Sequence, residues 1–326
     1  MKRFLKYTVL ILAICWASYG LSRLYLQRTD GFFVSHILSN TTDFPARPLW
    51  YLSPLTQEQR QHAHEALHLP YTYLGKGCQS YVFASQDGRF VLKFFKYQRF
   101  RPQAWLQYLP PLPALTLYMR EKAEKREKKL LSFMKSWQIA YNELKKESGL
   151  LLMHLNKAGE DWGKVTLVDR VGTHYEVDLD QTEFYLQKRG IPLEEHLLRL
   201  IQNHEIERAK TLIDDLLQQI LTEYQHGLGD RDHALLQNTG VLPNDHIMHI
   251  DVGQFTKDTA FTHPVYQNQE LFSKTHRFVK FLQDHSAPLA KHLQERLLEK
   301  IGPSYFSMQP IFRPHGYPLD QPYPPE

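Results

Sequence analysis

The sequence predicts an α+β chain in which a strand-rich half precedes a helix-rich half, behind an apolar N-terminal helix. Three observations carry this. Runs such as "YTYLGKGCQSYVFAS" and "RFVLKFFKY" are rich in aromatic and β-branched residues and are bounded by turn residues. From Pro192 the apolar residues recur at helical spacing, with Ile206, Ala209, Ile213, Leu216, Ile220 and Tyr224 on one stripe. Ahead of both lies "YTVLILAICWASYGL", Tyr7 to Leu21, without a charge.

Composition narrows the class. The 326 residues are 42% hydrophobic and 23% charged, ordinary for a globular chain with a sizeable core. A net charge of +4 without a dense Lys/Arg stripe argues against nucleic acid as a partner. Cys15 and Cys78 are the only cysteines, which excludes a disulfide framework and a Cys-based zinc site.

Residues 1–25 read as a transmembrane anchor or a signal segment. Lys2, Arg3 and Lys6 precede the apolar run, and Arg23 and Arg28 follow it. Ser18-Tyr19-Gly20 fits a small-x-small cleavage site, but the flanks favour an uncleaved single-pass membrane anchor. The basic start favours the N-terminus inside, with the rest of the chain outside. Residues 26–69 read as a juxtamembrane linker, Thr29 to Pro54, and a short helix "QEQRQHAHEALHL" opened by a Thr56/Gln59 capping box and stopped at Pro70.

Residues 70–190 form the strand-rich half. "QDG", Gln86 to Gly88, turns between its first long runs, and residues 99–118, with four prolines and Trp105, read as an irregular insertion. A helix is expected from Met119 to about Leu155, its charge run "REKAEKREKK" a solvated face. "KVTLVDRV" and "TEFYLQKRG" read as strands around a polar turn. Residues 191–308 form the helix-rich half: "PLEEHLLRLI", the striped helix, a strand in "HIMHIDVGQF", and helices around 271–284 and 289–301. Residues 309–326 are a Pro-rich tail. A cleft is expected between the halves.

Several residue groups in this order could carry chemistry. Gly75 and Gly77, flanking Lys76 at a strand turn, let backbone N–H groups approach a phosphate. Lys93 sits inside an apolar strand, where an ammonium needs a partner or ligand. Glu147 or Glu143 could supply a carboxylate for it. "GLGDRDHALLQN" packs Asp230, Arg231, Asp232 and Asn238 together, and Asp251 ends an apolar strand before Val252-Gly253. Oxygen ligands at strand mouths suit Mg²⁺ shared with phosphates, and an aspartate without metal duty can position a nucleophile.

Taken together these groups resemble the protein-kinase-like superfamily over roughly residues 70–300. "GKGCQSYV" looks like its glycine-rich loop, "VLKFF" like the strand with the phosphate-binding lysine, and "DVG" like its magnesium motif. "GLGDR" with "HID-x-G" echoes phosphoinositide kinases, and the short C-terminal half echoes antibiotic phosphotransferases. The resemblance implies a two-lobed fold with a reduced helical C-lobe, ATP and Mg²⁺ as cofactors, and a hinge whose backbone at Gln187 to Arg189 meets adenine. It implies Lys93 and the glycine loop on the phosphates, Asn238 and Asp251 on the metal, and Arg231 holding the loop. The acceptor is not specified. Asp232 has five residues before Asn238 and Asp230 has seven, where the family has four. Asp232 needs the smaller accommodation and takes the catalytic role. The altered loop also fits a pseudokinase, a membrane-anchored scaffold without turnover.

One competing motif is "HEALH", His64 to His68, the zinc-peptidase pattern. No further ligand follows at the usual spacing, since no glutamate occurs between Glu65 and Glu121. A surface helix is the simpler reading.

Overall fold

Residue Lys2 begins an uninterrupted helix, α1 (Lys2–Arg28), of 27 residues. Its segment Lys6–Arg28 has mean hydropathy 1.6 and no buried residue. At 1.5 Å per residue, α1 measures about 40 Å against a hydrocarbon layer of about 30 Å, so it is long and apolar enough to cross a membrane. The computed structural model describes residues 2–39, 49–101, 108, 110, 112–156 and 161–312. Trp105 with most of the proline insertion, linker residues 40–48 and the tail from residue 313 lie outside the described residues.

Two compact units follow from the chain's own packing: residues 1–128 with 151–188, and residues 129–150 with 189–326. The first is built on a seven-stranded sheet. In chain order its strands are β1 (Tyr71–Lys76), β2 (Ser80–Ser85), β3 (Phe90–Phe95), β4 (Leu150–His154), β5 (Lys164–Val168), β6 (His174–Asp178) and β7 (Phe184–Lys188). Their order across the sheet is β4-β7-β3-β2-β1-β5-β6. β1, β2, β3 and β7 pair antiparallel in succession, and β1 pairs parallel with β5. All six residues of β3 are buried, as befits a strand with neighbours on both edges. Gly88, at φ +73°, makes the tight β2–β3 turn that "QDG" predicts. Helix α2 (Gln57–Leu67) carries the expected capping box on Thr56 and Gln59 and buries Ala63, Ala66 and Leu67.

Three expectations need correction here. First, Thr29 to Leu38 is no loose linker. Thr29, Phe32 and Ile37 have no solvent exposure. The Phe32 ring lies 5.1 Å from those of Tyr81 and Phe83 and 5.8 Å from that of Tyr175. Second, the helix after the insertion, α3 (Pro113–Glu143), starts earlier and stops sooner than its pattern suggests. Gly149, at φ +61°, turns the chain, and "LLLMH" becomes buried β4. A short all-apolar run has no period to separate strand from helix. Third, "HYEVD" is strand β6 where a polar turn is expected; only Val177 is buried, so its alternation is weak.

The second unit takes the end of α3 and then α4 (Leu193–Gln202), α5 (Ile206–Gln225), α6 (Leu235–Asn238), α7 (Pro264–His285) and α8 (Ala287–Ile301). The α5 stripe is buried as predicted at Ala209, Ile213, Leu216, Ile220 and Tyr224, against Leu197, Phe278, Leu282, Leu293 and Leu297. Helix α7 begins seven residues before position 271, because Pro264 suits the first helical turn. Five short strands complete the unit: β8 (Ile191–Pro192), β9 (Leu228–Asp230), β10 (Thr239–Val241), β11 (Ile247–His249) and β12 (Phe255–Lys257). They form a β11-β10-β8 sheet and a β12-β9 ladder.

Phe32 ties the end of α1 into the sheet unit's core. Phe32→Ala should cost about 3–5 kcal/mol by leaving a cavity among the rings of Tyr81, Phe83 and Tyr175. The check is thermal unfolding of detergent-solubilised full-length protein, in which a surface substitution at Phe4 should be silent.

Candidate functional site

The aspartate-rich loop lies wholly in the helical unit, and each of its polar residues has a separate anchor. Helix α5 ends at Gln225, and Gly227, at φ +70°, lets the chain reverse into β9. Asp230 ends β9 opposite Phe255 of β12. Its carboxylate is buried; Oδ2 lies 3.3 Å from Lys274 Nζ, and Oδ1 accepts from Asp232 N at 3.0 Å. Burial pushes the Asp230 carboxyl up, and the Lys274 ammonium opposes that shift. Lys274 Nζ also donates to the carbonyls of Asp230 and Asp232, at 3.3 and 3.1 Å. Four residues earlier on the same α7 face, Glu270 Oε2 meets His233 Nε2 at 3.1 Å, both side chains buried. One turn of α7 thus clamps the loop on both sides of Asp232.

Asp232 is held differently. Its side chain is half-buried; Oδ1 accepts from Ala234 N at 3.0 Å and Oδ2 from Gln254 Nε2 at 3.2 Å. Both are hydrogen bonds to neutral donors, so its charge is not spent on an ion pair. Of the two aspartates, Asp230 serves the loop's interior. Arg231 lines a cavity of about 530 Å³ with Lys135 of α3 and Lys257 of β12.

Asn238 and Asp251 meet at one strand mouth. Asn238 ends α6 directly before β10, Asp251 follows β11, and Thr239 pairs with His249 across that ladder. Asn238 O accepts from Ile250 N at 2.6 Å and from Asp251 N at 3.3 Å. Asp251 Oδ1 accepts from Gly253 N at 2.9 Å. Among the described residues, neither the Asn238 carboxamide nor Asp251 Oδ2 has a hydrogen-bond partner. Their backbones are joined at this mouth, and a carboxamide and a carboxylate oxygen with lone pairs to spare are hard donors of the type a magnesium ion takes alongside water and phosphate. Gly253 has a packing reason: a Cβ there would lie 2.3 Å from the Phe133 ring of α3. Val252 is fully buried, which gives the middle of "DVG" its apolar requirement.

Behind β11, His249 Nε2 meets Glu223 Oε1 at 2.6 Å, and Gln219 Nε2 reaches both side chains. Glu143 and Glu147 line a cavity of about 450 Å³ on this side, with Asp215, Glu223 and Asp245. Glu143 Oε1 accepts from Lys257 Nζ at 2.8 Å, and the Glu147 carbonyl accepts from His249 N at 2.8 Å. Both glutamates belong to the helical unit.

In the sheet unit, Lys93 sits mid-β3 between Val82 and Tyr185, 4% exposed, its Nζ 5.7 Å from the Tyr185 ring centroid. Gly75 marks a register shift in the β1–β2 pair, and a Cβ there would meet nothing within 4 Å. At Gly77 it would meet only Ser80 Oγ, at 3.9 Å. Nothing in the packing demands these two glycines. Lys76 turns to the turn that follows α1, donating to Asp30 O at 2.8 Å. Gln187 is buried on β7 opposite Val91; Arg189 is exposed, and the chain leaves the sheet unit between Lys188 and Arg189.

The "HEALH" histidines have protein contacts of their own. His68 Nδ1 bonds the His64 carbonyl at 2.7 Å, and the His64 ring lies 4.6 Å from that of Trp162. Among the described residues, no three His, Cys, Asp or Glu side chains gather as metal ligands. Sequence reasoning missed Glu270 and Lys274. The available signal was two charged residues four apart on the apolar face of "ELFSKTHRF".

No protein-family model matches this chain, and no curated protein matches it. Among solved structures it is similar to Rv3197 of Mycobacterium tuberculosis, in complex with erythromycin, at 14% identity over 89% of this chain and 75% of that one. The TM-score is 0.28, too low for the likeness to carry an argument.

Lys274→Met strands the buried Asp230 carboxylate and should cost about 3–5 kcal/mol. Lys274→Met with Asp230→Asn removes both charges and should recover most of that loss. Urea unfolding of the two variants against wild type is the check; equal losses would mean the pair does not hold the loop.

Proposed function

We propose that the chain is a membrane-tethered, kinase-like phosphotransferase that uses ATP with magnesium and passes the γ-phosphoryl group to a hydroxyl acceptor. The observation that carries this is the pair of uncommitted oxygen donors, Asn238 and Asp251, held at one strand mouth by backbone bonds from Ile250 and Asp251 to Asn238 O. Asp232 supports it, because among the described residues it is the loop aspartate without an ion-pair partner.

The roles divide by chemistry. Asn238 and Asp251 hold the metal, whose charge offsets that of the phosphates when it is bound. Asp232 accepts a hydrogen bond from the acceptor hydroxyl and orients it, steadied by the Gln254 amide. Lys93 meets the phosphates with a buried ammonium. The glycine loop acts through its backbone at Gly75 to Gly77, because the Lys76 side chain is engaged by Asp30. Lys93 on the third strand, and a chain crossing in "FYLQKRG" where a hinge is expected, are consistent with the two-lobed kinase-like plan. Catalysis of this sort is positioning and charge neutralisation.

Asp251→Ala and Lys93→Ala should each lower phosphoryl transfer on the order of 10²–10³-fold or more while leaving the protein folded. Asp251→Ala should also abolish any thermal stabilisation by Mg·ATP that depends on the metal. Binding of Mg·ATP by wild type without phosphate transfer would assign the chain a scaffold role; wild-type-like transfer by either variant would sink the enzymatic reading.

A further inference from the structure

The end of α1 does more than lead into the sheet unit. Some 20 residues cross a bilayer's hydrocarbon layer, so a span beginning near Tyr7 ends near Leu26. Arg28, Asp30 and the turn behind them then lie among the headgroups. That turn is fixed to the sheet unit by bonds to its backbone. Tyr81 OH donates to Gly31 O at 2.7 Å, and Lys76 Nζ to Asp30 O at 2.8 Å. Arg101 Nη1 and Nη2 donate to the carbonyls of Ser35 and Leu38, at 2.9 and 2.6 Å. Whatever surrounds the turn is therefore carried to the membrane surface with it.

What surrounds it is basic. Arg170 Nη1 lies 3.0 Å from Asp30 Oδ1, and Lys76 Nζ lies 3.7 Å from the same oxygen. Arg99 donates to the Cys78 carbonyl at the neighbouring β1–β2 tip. Arg28 is exposed at the end of α1, and the side chains of Lys76 and Arg170 are 44% and 55% exposed. Asp30 is one carboxylate shared between two of these cations. Burial first, then the Lys76 ammonium, hold nearby Lys96 down to about 8, in keeping with a locally positive field.

We propose that Arg28, Lys76, Arg99, Arg101 and Arg170 form a basic collar that seats the sheet unit on an anionic phospholipid surface. The partner is the bilayer that α1 enters, because the collar is continuous with that helix and carries the complementary charge. Basic side chains next to a membrane segment gain from anionic headgroups and lose that gain in salt. The collar places the β1–β2 tip, with Cys78, against the headgroups.

The test uses the full chain with Cys15→Ser, leaving Cys78 as its thiol, in vesicles of phosphatidylcholine alone or with a third phosphatidylglycerol. Alkylation of Cys78 by a neutral, impermeant polymer maleimide should be severalfold slower in the phosphatidylglycerol vesicles. High salt should restore the rate. Arg28→Glu with Arg170→Glu should abolish the difference while the protein still floats with both vesicles and unfolds in detergent near the wild-type temperature. Equal rates in the two lipids, protection that survives the double reversal, or failure of the wild-type chain to float with vesicles would each overturn the collar. The assay contains no nucleotide, so its outcome is separate from that of the phosphotransferase reading.

Discussion

The buried ion pair between Asp230 and Lys274 is the constraint on which the helical unit's loop depends. A carboxylate taken out of water must be matched by a cation and by hydrogen bonds, or it is too costly to keep. Lys274 answers with one ammonium spread over the Asp230 carboxylate and two backbone carbonyls. Satisfying that charge fixes the path of the chain from Asp230 to Asp232, and His233 on Glu270 fixes the next step. Asp232 is thereby presented by its neighbours, and its own oxygens rest on the Ala234 amide and Gln254. The strand mouth with Asn238 and Asp251 has an independent support, the β10–β11 ladder, so the two halves of the site are held by different forces.

Much of this was legible in the sequence where the determinant is local. The Thr56/Gln59 capping box and the α5 stripe state their structure within a few residues of themselves. Asn238 and Asp251 were linked only through the kinase-like resemblance; a short hairpin, β10–β11, lies between them. The strands β9, β10 and β12, each of three residues, could not be read, since so short a run has no period. Glu270 and Lys274 were hidden for another reason. Charges on the apolar face of a helix look like exceptions until their partners, Asp230 and His233, are brought up from some forty residues earlier.

The stretch Thr29 to Leu38 was misread because "TDGFFVSHIL" offers neither alternation nor helical spacing. Its order comes from one aromatic ring in a nest of others and from side chains that bond its carbonyls. Such a segment is specified by its surroundings, and propensity arguments have little hold on it. The glycines make the same point in reverse. Gly253 is demanded by a ring of α3, whereas Gly75 and Gly77 have open space beside them, so the same residue type answers a packing need in one place and leaves room in another.

The way the chain is divided between its two units has a consequence for its synthesis. The polypeptide passes from the sheet unit to the helical one after Lys128, returns after Leu150, and leaves again after Lys188. Segment 129–150, with Phe133 and Trp137, therefore emerges from the ribosome long before the residues it packs against. Strands β4 to β7 must be made before the sheet is whole. During that interval the end of α3 is without the later residues of its own unit, while the sheet unit is the first whose segments are all made. Neither unit can be cut out as one continuous stretch, so order of assembly is written into the chain path itself.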